Sequence, residues 1–127
     1  MLSVGWIQHV AVIVTDVSRA RQFYSGVLGL REIPRPDFDF GGVWYEVGEG
    51  QLHLTVHPPS RTIRGTRQID SRDGHVAFRV NSYRETVEHL HALGVECLES
   101  PNNKTPWAQI YVTDPDGNVI ELNAPRE

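Results

Sequence analysis

The sequence predicts an α+β fold of two tandem β-α-β-β-β modules that form a curved mixed sheet around a concave site, and three observations lead there. His9-Val10-Ala11-Val12 and His75-Val76-Ala77-Phe78 read almost alike and open the two halves of a 127-residue chain. Leu52-His53-Leu54 and Ile120-Glu121-Leu122 close the same halves, each with one metal-capable side chain between apolar neighbours. Leu28-Gly29 and Leu93-Gly94 keep the halves in register between those ends. Repetition on this scale means that one supersecondary unit has been used twice. Module one is expected over 5–57, a linker over 58–73 and module two over 74–124, all within a single domain of residues 1–127.

After the first strand, Thr15 or Asp16 can cap a helix whose apolar residues Val17, Ala20, Tyr24, Val27 and Leu28 follow helical spacing, and Gly29 stops it. Strands are expected at 30–33, 43–47 and 51–56, the last two joined by Gly48-Glu49-Gly50. The second half repeats the plan. A strand over 74–80 leads to a helix opening with the capping box Ser82-Tyr83-Arg84-Glu85, striped by Tyr83, Val87, Leu90 and Leu93, and ended by Gly94. Strands at 95–98, 108–113 and 118–123 complete it, the last two joined by the turn Asp114-Pro115-Asp116-Gly117. Cys97 falls in the first of these strands, where a small buried residue is expected. The linker carries Arg61, Arg64, Arg67 and Arg72 and reads as a solvated surface segment or, alternatively, an anion-binding arm. Residues 99–107 read as a flexible loop or a lid.

Hydrophobic residues make up 39% of the chain, enough for one domain with a normal core. A formal charge of −4 lacks the basic footprint of a nucleic-acid binder, so small molecules are the expected partners. No run approaches the roughly 20 apolar residues of a membrane span, and no basic segment precedes an apolar run at the start, which points to a cytoplasmic protein. The single cysteine excludes an intramolecular disulfide and a thiolate-rich zinc cluster. Modules of this size expose sheet edges that need covering, so a homodimer is expected.

Successive side chains of a strand point to opposite faces. His9, Ala11 and Ile13 therefore lie opposite Val10, Val12 and Val14, and His53 and Thr55 lie opposite Leu52 and Leu54. His75, Ala77 and Arg79 lie opposite Val76 and Phe78, and Glu121 and Asn123 lie opposite Ile120 and Leu122. His9, His53, His75 and Glu121 thus share the non-aliphatic faces. Three imidazoles and a carboxylate suit a divalent ion of zinc, nickel, iron, manganese or cobalt, and argue against calcium or magnesium. A six-coordinate ion with four such ligands keeps two positions for adjacent oxygens of one substrate. His53 is the most dispensable member, because His9, His75 and Glu121 alone make the two-histidine, one-carboxylate set of non-haem iron oxygenases. Glu46 and Tyr111 are candidates for a base and a hydrogen-bond donor, or for structural roles. His57 is expected outside the ligand set, and His89 and His91, in the second helix, as surface or packing residues.

Ile7-Gln8-His9-Val10, Gly74-His75-Val76-Ala77, Ala20-Arg21-Gln22-Phe23-Tyr24 leading to Val27-Leu28-Gly29-Leu30, and Asp114-Pro115-Asp116-Gly117-Asn118-Val119-Ile120-Glu121-Leu122 together resemble the vicinal oxygen chelate superfamily. The similarity covers nearly the whole chain. The superfamily includes glyoxalase I, methylmalonyl-CoA epimerase, extradiol dioxygenases, fosfomycin-resistance enzymes and metal-free bleomycin-binding proteins. Carried over by position, the resemblance places His9, His53, His75 and Glu121 at its four metal-ligand sites, with one departure: bacterial glyoxalase I usually has Glu where His53 stands. It implies a glyoxalase-like, metal-dependent lyase or isomerase; for such chemistry either Glu46 or a displaced Glu121 is the expected carboxylate to take a carbon-bound proton. An extradiol-type iron(II) dioxygenase and an antibiotic-resistance protein are the alternatives. In the superfamily, modules pair either within one chain or across a dimer.

Overall fold

Asp16 and Ser82, each in extended backbone, stop a strand and start a helix at equivalent points of the two halves. The computed structural model, which describes residues 1–127, begins with β1 (His9–Val14), then α1 (Val17–Arg21) running into a π-helical stretch (Gln22–Val27). β2 (Arg31–Ile33), β3 (Gly42–Val47) and β4 (Gly50–Val56) follow. The second half holds β5 (His75–Arg79), α2 (Tyr83–Ala92), β6 (Leu98–Ser100), β7 (Trp107–Thr113) and β8 (Val119–Pro125). The strands make two four-stranded mixed sheets of the same topology, β1-β4-β3-β2 and β5-β8-β7-β6. β1 with β4 and β5 with β8 are the parallel pairs. The chain divides into two compact units, Met1–Ile63 and Arg64–Glu127. No helix is long and apolar enough to cross a membrane.

Asp16, not Thr15, caps α1: its carboxylate accepts from the Arg19 N–H at 2.9 Å. The expected α-helix through Leu28 ends early, because beyond Arg21 the turns widen and the Leu28 N–H donates to the Phe23 carbonyl at 2.9 Å. The extra residue per turn points both Phe23 and Tyr24 inward, their rings meeting edge-on at 5.1 Å, while Val27 and Leu28 are only half-buried. Gly29, at φ 70°, closes the helix as expected, with Leu30 N–H turning back to the Tyr24 carbonyl.

Ser82 caps α2, accepting from the Glu85 N–H at 3.2 Å. Leu90 is its buried member. Leu93, expected in the apolar stripe, is 52% exposed, because it lies past the helix where Gly94, at φ 68°, reverses the chain. That closure uses the Gly94 and Val95 N–H groups on the His91 and Leu90 carbonyls. Pairing with β7 therefore starts only at Leu98. The strand expected at 95–98 is instead Leu98–Ser100, and Cys97 sits before it, half-buried.

One face of each sheet is aliphatic. Val14, Val43, Leu52 and Leu54 form it in the first unit, with Tyr45 satisfied by Ser25 at 2.7 Å, and Ile110, Val112, Ile120 and Leu122 form it in the second. The linker is largely exposed, as its composition suggests, with Arg64 as the member that is tied down. The Arg64 side chain, 12% exposed, reaches Asp73 at 2.7 Å and the Gly117 and Gln68 carbonyls at 2.6 and 3.0 Å, stapling residues 64–73 to the β7–β8 turn. The 99–107 segment is also tied down: Asn103 donates to the Ser100 and Trp107 carbonyls, and Arg126 to those of Pro101, Asn103 and Thr105.

Candidate metal centre

In the first unit, strand register sets the face. Ala11, His53 and Trp44 stand side by side across β1, β4 and β3, and His9, Gln51, Glu46 and Arg31 form the adjacent row. Both rows lie opposite the aliphatic face. The His53 ring is sandwiched, parallel to His9 at 4.2 Å and to Trp44 at 4.0 Å between centroids, and is 9% exposed. Phe38 continues the array beside Trp44 and stacks on Phe40 at 5.0 Å, with the Arg35 guanidinium over both phenylalanine rings.

Hydrogen bonds hold one nitrogen of each imidazole. His9 Nδ1 lies 2.6 Å from Gln8 Oε1, and His53 Nε2 lies 2.8 Å from Gln51 Oε1. An amide oxygen only accepts, so these nitrogens donate, and His9 Nε2 and His53 Nδ1 keep their lone pairs. Burial, then the proximity of His9 and of Arg35, pushes the His53 pKa below its ordinary value. That shift favours the neutral ring, the form a metal ligand requires.

In the second unit Ala77, Glu121 and Tyr111 form the equivalent row, and His75 begins the neighbouring one. His75 Nδ1 is 2.7 Å from the Asp73 carbonyl and must donate to it. Its Nε2 faces Glu121 Oε1 at 3.2 Å. Glu121 is 5% exposed, and its other oxygen accepts from Asn123 at 2.8 Å and Gln109 at 3.3 Å. Burial opposes ionisation of this carboxyl, but hydrogen bonds from Asn123, Tyr111, Gln109 and His75 outweigh it and hold the pKa below its ordinary value. Burial, with the charge and hydrogen bond of Glu121, pushes the Tyr111 phenol up to about 12, so it remains a donor. Its ring meets His75 edge-on at 5.7 Å.

The His75–Glu121 pair carries chemical information. With Nδ1 committed to a carbonyl, a neutral His75 presents a lone pair at Nε2 directly to a carboxylate oxygen. Two acceptors at 3.2 Å require a shared cation, either a proton that makes imidazolium or a metal ion. Adjacent ligand atoms around an ion bound at roughly 2.1 Å are about 3 Å apart, so the observed spacing fits a metal with little movement. Imidazoles fixed through their second nitrogen, and a carboxylate fixed through its second oxygen, are the support that metal ligands need.

Of the residues expected from sequence, the structure brings His9 beside His53 in one unit and His75 beside Glu121, with Tyr111, in the other. Glu46 lies on the His53 face but is exposed and ion-paired with Arg31 at 3.2 Å. Trp44, Phe38, Gln51 and Gln109 were not anticipated at the site. The signal for three of them was available, since Trp44 alternates with Glu46, Gln51 with His53, and Gln109 with Tyr111.

Residues 6–122 match the family model of the Glyoxalase/Bleomycin resistance protein/Dioxygenase superfamily, and the chain belongs to that superfamily. It is 28% identical to Glyoxylase I 4 of Arabidopsis thaliana over 120 residues, covering 91% of this chain and 68% of the relative. It is also 28% identical to the metallothiol transferase FosB of Staphylococcus saprophyticus over 124 residues, covering 92% of this chain and 75% of that one. A solved glyoxalase family protein from Bacillus anthracis superposes with a TM-score of 0.81 at 27% identity, covering 98% of both chains. Superfamily members typically use divalent metals and bind small molecules, and enzymes are among them.

Proposed function

We propose that this chain is a metal-dependent enzyme of the glyoxalase I type, a lyase or isomerase acting on a small molecule that presents two adjacent oxygens. His9, His53, His75 and Glu121 are its candidate ligands for a divalent ion of zinc, nickel, iron, manganese or cobalt. The observation that carries this reading is the His75–Glu121 pair, two lone-pair donors held 3.2 Å apart by hydrogen bonds on their far sides. When bound, the ion supplies Lewis acidity to the substrate oxygens.

The protein's own groups do the rest. Glu121 and Glu46 are the carboxylates available to take a carbon-bound proton, and Tyr111, kept as a phenol, donates a hydrogen bond to Glu121. Trp44 and Phe38 give the His53 face a flat apolar surface on which a planar part of a substrate can stack, and Arg35 fixes a positive charge beside it. Gln8, Gln51 and the Asp73 carbonyl orient the three imidazoles.

Lewis-acid chemistry needs no change of metal valence and no oxygen. Hemithioacetals and catechols are therefore to be assayed in anaerobic and aerobic buffer with zinc, nickel, manganese and iron restored in turn. Turnover of a non-catechol substrate without oxygen, supported by several ions, is expected. Activity confined to aerobic, iron- or manganese-loaded protein with catechols overturns the reading in favour of an extradiol dioxygenase.

A further inference from the structure

We propose that His91, Cys97 and Glu99 form a second metal site, for a thiophilic divalent ion such as zinc(II), on the face of the second sheet opposite His75 and Glu121. His91 Nε2 lies 3.9 Å from Cys97 Sγ and 3.6 Å from Glu99 Oε2, and the three ligand atoms fall within 4.8 Å of one another. A tetrahedral ion with Zn–S of about 2.3 Å and Zn–N or Zn–O of about 2.0–2.1 Å sets its ligands roughly 3.3–3.6 Å apart. A contraction of a few tenths of an ångström closes the gap for the His91 pairs. Solvent completes the fourth position, because the His91 and Glu99 side chains are exposed.

Strand register separates this cluster from the site described above. Glu99 pairs with Ile110, and Ile110 with Leu122, all on the aliphatic face; Leu98, its neighbour, pairs with Tyr111 and so belongs to the Glu121 face. The local backbone assembles the three donors. His91 stands in the last turn of α2, where the carbonyl end of the helix favours a cation. Gly94 reverses the chain, and Cys97 arrives beside His91 just before β6 begins. The Tyr83 hydroxyl donates to Glu99 Oε1 at 3.1 Å, which leaves Oε2 turned to His91.

The three chemistries, imidazole, thiol and carboxylate, match a zinc-type ion better than a surface ion pair needs, since the thiol contributes nothing to a His–Glu pair. Burial, then Glu99 and Glu96, pushes the Cys97 thiol up, so an ion must displace its proton and binds more tightly as pH rises. An ion there ties α2 to β6 and stabilises the second unit by favouring its folded form.

Cobalt(II) tests the proposal, because only a thiolate ligand gives an intense near-ultraviolet sulfur-to-cobalt band, and Cys97 is the chain's single cysteine. The full-length protein, reduced with a phosphine, is titrated with cobalt(II). The band is expected in the parent and in Glu121→Gln, which removes a ligand of the other site. It is expected to vanish in Cys97→Ser, to be displaced by zinc, and in His91→Gln to require more cobalt by at least the roughly 10–100-fold that losing a supporting contact costs. Absence of the band in the parent, or its persistence at unchanged cobalt concentration in His91→Gln, overturns the proposal. Either result leaves the His75–Glu121 reading untouched.

Discussion

Glu121→Ala is expected to abolish tight divalent-metal binding and, with it, turnover. The substitution removes the carboxylate from His75 and deprives Asn123, Gln109 and Tyr111 of their shared acceptor in a nearly closed environment. Leaving buried donors without a partner costs about 1–3 kcal/mol, so the alanine variant also melts earlier. Glu121→Gln keeps the volume and separates the two effects: it should fold more stably than the alanine variant yet still lose tight metal binding, because a neutral amide is a poor replacement for a carboxylate ligand. The acid limb of stability supplies a further check. The carboxyl pKa is lower in the folded state than in the unfolded chain, so its contribution is complete at neutral pH and disappears as pH falls through the folded value. In metal-free protein that part of the acid limb is expected to flatten in Glu121→Gln. Elemental analysis of the purified variants decides the main point, and unchanged metal occupancy in either variant contradicts it.

The largest effect on folding is expected from Asp114→Ala. Asp114 is fully buried at the β7–β8 turn. Its Oδ1 accepts from the Asp116 and Asn118 N–H groups, both at 2.9 Å, and its Oδ2 accepts from the Asn118 side chain at 2.8 Å. The turn reverses through Gly117 at φ 84°, and the Gly117 carbonyl is the acceptor for Arg64. Truncation removes the carboxylate that three donors share and loosens a hairpin that places Glu121 two residues into β8. A loss of about 3–5 kcal/mol is expected by chemical denaturation. Asp114→Asn, which retains one acceptor oxygen, should lose less. Stability within about 0.5 kcal/mol of the parent for the alanine variant would show that the turn does not depend on this cap.

The strands bearing His9, His53, His75 and Glu121 are legible because a ligand-type or small side chain alternates with aliphatic ones at the start of β1 and β5 and through β4 and β8, and a one-residue slip would turn Val14, Leu54 or Leu122 out of the core. The same alternation put Glu46 on the site face but could not supply its partner, since Arg31 meets Glu46 only through the β2–β3 register. The π-helical turn was hidden because α and π spacings both bury Tyr24, and only Phe23 distinguishes them. β6 starts three residues later than expected, since Val95, Cys97 and Leu98 suit a strand while the backbone of Gly94 and Val95 is spent closing α2. That shift moves Cys97 out of a strand and beside His91, and Glu99 into β6. Trp44 and Phe38 carry no such mark, because an aromatic residue in or beside a strand suits a core position equally well. Their place in a stack with His53 depends on a pairing between β3 and β4 that composition does not reveal.

The most direct test of the metal centre is X-ray absorption at the metal edge of Cys97→Ser protein carrying one equivalent of zinc per chain, the serine keeping the thiol cluster out of the measurement. Three imidazoles and a carboxylate predict a nitrogen and oxygen shell at about 2.0–2.2 Å with strong outer-shell imidazole scattering, diminished by about one histidine in His53→Ala. A shell of oxygens without imidazole scattering, or a protein that retains no zinc after dialysis, would contradict the assignment of His9, His53, His75 and Glu121.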